Sequence, residues 1–383
     1  RPESLVYGIF HNAVCTVSQT PGLRMMNTTG STATLFPDQP NPSGGDQRAI
    51  AAWLLVCCAL IFAMVILGGV TRLTGSGLSM VEWKPVTGFI PPLSHSAWEE
   101  EFSKYKKSPE FQKINLGMSL EQFKRIYLYE FAHRVLGRTI GLVFLLPFLY
   151  FLIRRKISRP LIPKLVAMFI LGGLQGVLGW YMVMSGLIDK PHVSQYRLTA
   201  HLLAAIAIYS YIFWVALGLI YPPGIGQNTP VSPVLRRKTF VITGMILLTI
   251  ISGGFVAGLK AGHAYNTFPL MNGQWVPEGI MMLEPWYINF FENISTVQFD
   301  HRVLAILSFL AIIGLWFVSR RHDLPRTTRT GLHLLAGMSI LQVILGISTL
   351  LLHVPVPLAA THQAGALVLL TLALFVYHRL HYS

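Results

Sequence analysis

The sequence predicts an all-α integral membrane fold: eight transmembrane helices forming two pseudo-symmetric four-helix bundles, related by an axis along the membrane normal. Three observations lead there. Of the 383 residues, 52% are hydrophobic and only 12% charged, and the mean hydropathy is +0.53; a soluble domain usually carries about twice that charged fraction. Apolar runs long enough for the roughly 20 residues of a hydrocarbon core occur eight times. Landmarks of the first four runs then recur in the last four in the same order.

Residues 1–48 stand apart. They are polar, rich in Ser, Thr, Pro and Gly, and read as a flexible segment that buries too little apolar surface to fold. With three arginines they match a transit peptide poorly, although they suit what remains after one is removed, and a eukaryotic organelle has the edge. The expected spans follow at 51–70, 126–153, 161–185, 198–220, 239–259, 297–319, 331–353 and 356–378. Pro355 and Pro357 mark the turn between the last two, because proline breaks a continuous helix. In the first outer loop, Ser96-Ala-Trp-Glu99 and Ser119-Leu-Glu-Gln122 have the spacing of capping boxes, and the second starts span two near Leu120.

Charge gives the orientation. Arg154, Arg155, Lys156, Arg159, Lys164, Arg236, Arg237, Lys238, Arg320, Arg321, Arg326, Arg329 and Arg379 follow the even-numbered spans, with Asp323 as the single acid among them. The opposite loops are nearly neutral, so the net charge of +14 reports both termini on the positive-inside face rather than affinity for nucleic acid. The three cysteines (Cys15, Cys57, Cys58) form no C-x-x-C pair, which speaks against a disulfide framework or structural zinc.

The repeat is specific. His133-Arg-Val-Leu returns as His301-Arg-Val-Leu, Gln175-Gly-Val-Leu-Gly as Gln342-Val-Ile-Leu-Gly, and Leu198-Thr-Ala-His201 as Leu358-Ala-Ala-Thr-His362. Gly68-Gly69 matches Gly253-Gly254. Two halves result, 49–222 and 236–380. Each offers two imidazoles on two helices near the outer ends of the spans, His133 with His201 and His301 with His362. Paired imidazoles on facing helices suit haem iron. Glu130-Phe-Ala-His133 has the di-iron spacing, but its counterpart is Gln298-Phe-Asp-His301 and the spans hold no further glutamate, which disfavours di-iron.

That Glu/Gln difference separates the halves. Glu130 lies one turn before His133, and a carboxyl at membrane depth is costly enough to mark function. A buried carboxyl suits proton transfer, which puts the chemistry in half one and a passive electron-carrying haem in half two. The competing reading is a plain ion pair between Glu130 and Arg134. Arg134, Arg302, Arg72, Lys260 and Arg197, all near the outer ends, are candidate partners for haem propionates.

Residues 49–380 also resemble the haem A synthase family of the mitochondrial and alphaproteobacterial type. The matching motifs are Gly68-Gly-Val-Thr-Arg-Leu-Thr-Gly-Ser-Gly-Leu-Ser79, Glu130-Phe-Ala-His-Arg134, Gln195-Tyr-Arg-Leu-Thr-Ala-His201, Ala261-Gly-His-Ala-Tyr-Asn-Thr-Phe-Pro269, Phe299-Asp-His-Arg302 and Ala360-Thr-His-Gln363. The resemblance implies oxidation of the C8 methyl of haem O to a formyl group by successive hydroxylations, giving the haem A of cytochrome c oxidase. It implies haem B on His301 and His362, substrate haem O facing His133 and His201, and an essential role for Glu130. It further implies the mitochondrial inner membrane, a ferredoxin electron donor and contact with haem O synthase or a second copy of the chain. A di-haem b-type electron-transfer protein is the alternative; a repeat-built transporter ranks far behind, since the ionisable span residues lie at the outer ends rather than at the midplane.

Overall fold

The computed structural model describes residues 43–83, 88–187, 191–222 and 232–382; the expected flexible segment falls largely outside them. Among the described residues there is no strand, and eight helices are long and apolar enough to cross a membrane. These are α1 (Gly44–Leu73), α4 (Leu120–Ile153), α5 (Ile162–Leu187), α6 (Gln195–Ile220), α7 (Pro233–Leu259), α9 (Ile294–Ser319), α10 (Arg326–Leu351) and α11 (Val356–His381). The short helices α2 (His95–Tyr105), α3 (Pro109–Lys113) and α8 (Asn289–Glu292) lie in the connections.

Most helices overrun their apolar runs, because a helix stops at a cap and not at the edge of a hydrocarbon layer. α1 begins at Gly44, where Ser43 Oγ accepts from the Asp46 amide at 3.2 Å and Asp46 pairs with Lys156 at 2.9 Å. The helix therefore starts ahead of the apolar run expected from residue 51. The Ser119 capping box forms as expected, with Ser119 Oγ accepting from Gln122 N and Gln122 Oε1 accepting from Ser119 N. The other box does not. Ser94 caps α2 instead, accepting from Ala97 N at 3.1 Å, because its extended backbone ends the approach to the helix and leaves Ser96 inside the first turn.

Packing follows one scheme in both sets of four. α1 packs on α4 and α6, and α5 packs on α4 and α6; likewise α7 packs on α9 and α11, and α10 on α9 and α11. Across the middle, α1 meets α11, α6 meets α7, and α6 meets α11. This exchange of partners is consistent with a two-fold relation between the sets. The buried core includes Trp53, Leu54, Phe144, Tyr209, Leu235 and Leu367, whereas Leu146, Ile170, Leu310 and Ile344 stay exposed on the outer faces. Helices that are apolar on all sides suit a lipid surround.

The middle is close-packed, and several polar bonds cross it. Gln363 Nε2 donates to Val65 O at 2.8 Å, Arg72 Nη2 to Gly258 O at 2.9 Å, and Tyr209 Oη and Thr371 Oγ1 share a 2.8 Å bond. A Cβ on Gly258 would lie 2.6 Å from Gln195 Cβ and 2.8 Å from its Cα, so backbone must move to admit it. Gly258→Ala is therefore expected to lower the thermal unfolding midpoint in detergent by several degrees, an overpacking cost of about 1–3 kcal/mol. Gly314→Ala, at a position open on all sides, should leave the midpoint unchanged.

Candidate functional site

Each of the four repeat-related histidines lies against a glycine of a neighbouring helix. A Cβ on Gly68 of α1 would approach His133 Cε1 of α4 to 3.0 Å. On Gly179 of α5 it would approach His201 of α6 to 3.0 Å, on Gly253 of α7 His301 of α9 to 3.2 Å, and on Gly346 of α10 His362 of α11 to 2.9 Å. His133 lies within electrostatic reach of His201, and His301 of His362, so each pair closes within its own four helices.

Three of the four rings also have an Nδ1 partner. Gln175 Nε2 lies 3.1 Å from His201 Nδ1 and donates to the His201 carbonyl at 2.8 Å. Gln342 Nε2 stands in the same way 3.2 Å from His362 Nδ1 and 2.9 Å from its carbonyl. The motifs Gln175-x-x-x-Gly179 and Gln342-x-x-x-Gly346 thus place the amide and the bare turn on one helix face, four residues apart. Ser252 Oγ lies 2.8 Å from His301 Nδ1. His133 Nδ1 is buried with no partner. Sequence reading found the glutamines and glycines only as repeat landmarks, and it missed Ser252.

A Nδ1 partner orients an imidazole and leaves Nε2 as the ligand atom. Two imidazoles per pair suit a macrocycle that supplies the other four donors, so the residues present fit haem. Among the described residues, no three His, Cys, Asp or Glu side chains gather to hold a bare metal ion. His353 and His263 are exposed on the connections, and His378 is buried in the last turns of α11 beside Trp214.

Glu130 is 3% exposed and fully partnered. Arg134 Nη2 donates to its Oε1 at 2.5 Å, while Ser79 Oγ and the Met80 amide donate to its Oε2 at 2.7 and 2.8 Å. The ion pair weighed against chemistry is thus real, and Ser79 and Met80 were not foreseen. At the matching place, Gln298 Nε2 donates to Tyr265 O at 3.0 Å.

Arg134 and Arg302, two of the propionate candidates, also hold loop carbonyls. Arg134 gives its terminal nitrogens to Met80 O and Glu82 O at 2.8 Å each; Arg302 gives its own to Tyr265 O and Thr267 O at 2.8 and 2.9 Å. Both guanidiniums tie an outer loop to a helix, because a bent loop leaves carbonyls without helical partners and arginine carries a fork of donors. Arg197 donates to Tyr181 O and stacks on its ring at 3.7 Å. Arg72 and Arg302 each keep a buried Nε with no partner.

The fold and site together define a polytopic helical membrane protein with two imidazole pairs of a kind that suits haem. Sequence comparison makes this particular: the family model of COX15-CtaA, the cytochrome oxidase assembly proteins, matches residues 51–374, and the chain belongs to that family. It is 54% identical over 350 residues to the heme A synthase of Nitrosospira multiformis, covering 91% of this chain and 98% of the relative. It is 47% identical to the heme A synthase COX15 of Homo sapiens, covering 88% of this chain and 84% of the relative.

A second buried carboxylate lies in the first outer loop. Tyr105 Oη donates to Glu110 Oε2 at 3.0 Å, and Asn115 Nδ2 donates to Tyr105 Oη at 2.7 Å. Burial, helped by the charge of Glu130, pushes the Glu110 carboxyl up to about 7 from the ordinary 4.5, against the Tyr105 bond and the cations Lys260 and Arg72. Between those values the folded protein binds more protons than the unfolded chain, so stability falls as pH rises through that window. Thermal unfolding in detergent should show a midpoint that declines from pH 5 to 8, and Glu110→Gln should flatten the decline.

Proposed function

We propose that this chain is a haem A synthase that oxidises the C8 methyl of haem O to a formyl group in its first half, 49–222, and keeps haem B in its second, 236–380. The observation that carries the reading is that the position one turn before the α4 or α9 histidine is a carboxylate in one half only: Glu130 before His133, against Gln298 before His301. Membership of a cytochrome oxidase assembly family whose relatives are named heme A synthase supports the same reaction.

In this reading His301 and His362 hold haem B, and His133 and His201 face the substrate haem. When bound, haem B supplies one-electron chemistry to the substrate half. The protein does the rest with few groups. Glu130 takes and returns protons at Oε2; when that oxygen is protonated, the Ser79 hydroxyl turns to its other acceptor, Ser76 O at 3.0 Å, so neither group is stranded. Arg134 holds Oε1 and the Met80–Glu82 loop at once, fixing the carboxyl where the loop closes over the helix ends. Two hydroxylations of the methyl carbon give a geminal diol, which loses water to the aldehyde.

The reading extends to location. The basic loops on one side support both termini on the matrix side of the mitochondrial inner membrane, with the histidine pairs toward the intermembrane space.

The test is extraction of haems from the purified full chain, made in a host that supplies haem O, with chromatography and mass spectrometry. Wild type should yield haem A or its hydroxylated intermediate beside haem B, whereas Glu130→Gln should yield only haem O and haem B. Haem B alone in both proteins would favour the di-haem electron carrier and overturn the synthase.

A further inference from the structure

The two pairs of histidines differ at one atom. In the outer parts of α1 and α7 and the loops that follow, the halves align at a single offset: Gly68 with Gly253, Met80 with Tyr265 and Glu82 with Thr267, each 185 residues apart. The rings sit alike on this frame, with His133 Nδ1 3.5 Å and His301 Nδ1 3.7 Å from the Cβ positions of Gly68 and Gly253. In half two the residue before that glycine is Ser252; in half one it is Leu67. Ser252 Oγ lies 2.8 Å from Thr249 O and 2.8 Å from His301 Nδ1; with Nε2 given to a haem iron, Nδ1 carries the ring proton and Ser252 Oγ accepts it while donating its own to Thr249 O. Leucine has nothing to offer, and His133 Nδ1 is the buried nitrogen left without a partner. On the other ligand of each pair Gln175 and Gln342 act alike, so the asymmetry belongs to the α4 and α9 histidines alone.

A hydrogen bond accepted from Nδ1 fixes the ring and the tautomer and strengthens the imidazole as a donor; its loss typically costs about 10–100-fold in metal affinity. The proposed reaction asks for this difference. A resident haem must stay through many turnovers, whereas a substrate haem must leave as product. We propose that Ser252 and Leu67 set which haem is retained and which exchanges: Ser252 makes His301 a permanent ligand, and Leu67 leaves His133 a releasable one. The proposal rests on the assignment of haem B to half two and haem O to half one. It makes Ser252 a positioning residue acting through His301.

The test follows haem transfer from the purified full-length protein to excess apomyoglobin, separating haem B from haem O and haem A by their reduced spectra. Ser252→Ala should lose haem B about 10-fold faster than wild type and raise its midpoint potential, while Ser252→Thr, which keeps the hydroxyl, should hold it at the wild-type rate. Leu67→Ser should slow release of the half-one haem about 10-fold without changing haem B, and Leu67→Ala, which loses bulk but gains no acceptor, should not. Unchanged haem B transfer in Ser252→Ala, or unchanged half-one release in Leu67→Ser, overturns the inference. His301→Met checks the assignment beneath it: loss of haem B alone upholds the two sites, and loss of haem O with retention of haem B overturns assignment and inference together.

Discussion

An imidazole can lie close against a neighbouring helix only where that helix has no Cβ, and this steric condition organises the membrane domain. Four glycines, one on each of α1, α5, α7 and α10, meet the four histidines of α4, α6, α9 and α11. At each contact a methyl group would stand at or inside the closest ordinary separation, so helix spacing and ring orientation are fixed together. The helices that give the glycines are those that pack on the histidine helices, which is why the same four-helix arrangement serves twice. In a lipid surround, where apolar burial between helices contributes little, such close approach is the main source of specificity.

Held rings then need a fixed cover. Arg134 and Arg302 each follow a histidine by one residue and give both terminal nitrogens to carbonyls of the connection that leaves α1 or α7. One arginine thus links a ligand helix, an outer loop and, in half one, the Glu130 carboxylate. The ion pair and the proton-transfer role are therefore not rivals. Glu130, only 3% exposed, keeps Arg134 on one carboxyl oxygen, and in the proposed reaction Ser79, which has a second acceptor in reach, can follow a proton at the other.

Much of this was legible in the sequence, for physical reasons that differ by feature. Spans show because desolvating a charge is costly, so hydropathy alone finds eight of them. Histidines in apolar helices are rare enough that four at repeat positions point to a site. Ends were less legible: Ser94 and Ser96 are both good caps, and only the extended backbone at Ser94 decides between them. Partners of the ring nitrogens were harder still. Ser252 and Leu67 look like any pair of helix residues, and it takes the packing of α7 on α9 to bring a hydroxyl to Nδ1. The carbonyl partners of the arginines were hidden in the same way, since cations near helix ends suit propionates as well as carbonyls, and only tertiary structure brings the loop carbonyls to them.

Three differences between the halves fall together. Leu67 for Ser252, Ser79 for Ala264 and Glu130 for Gln298 all lie on α1, α4 and the loop between them or on their half-two counterparts, while the α5–α6 side keeps the same glutamine, glycine and histidine as α10–α11. The offset between halves also drops on that side, from 185 residues at Glu82 and Thr267 to 168 at His133 and His301. The 17 residues gained by half one lie in the connection that carries α2, α3 and the buried Glu110. The α5–α6 and α10–α11 flanks thus hold their histidines in the same way. On the other flank, half one has a carboxylate, its hydroxyl partner and a longer cover, and lacks the hydrogen bond made to the corresponding histidine in half two. Under the proposed function, a site that both reacts with its haem and releases it calls for that combination, and a site that keeps its haem does not.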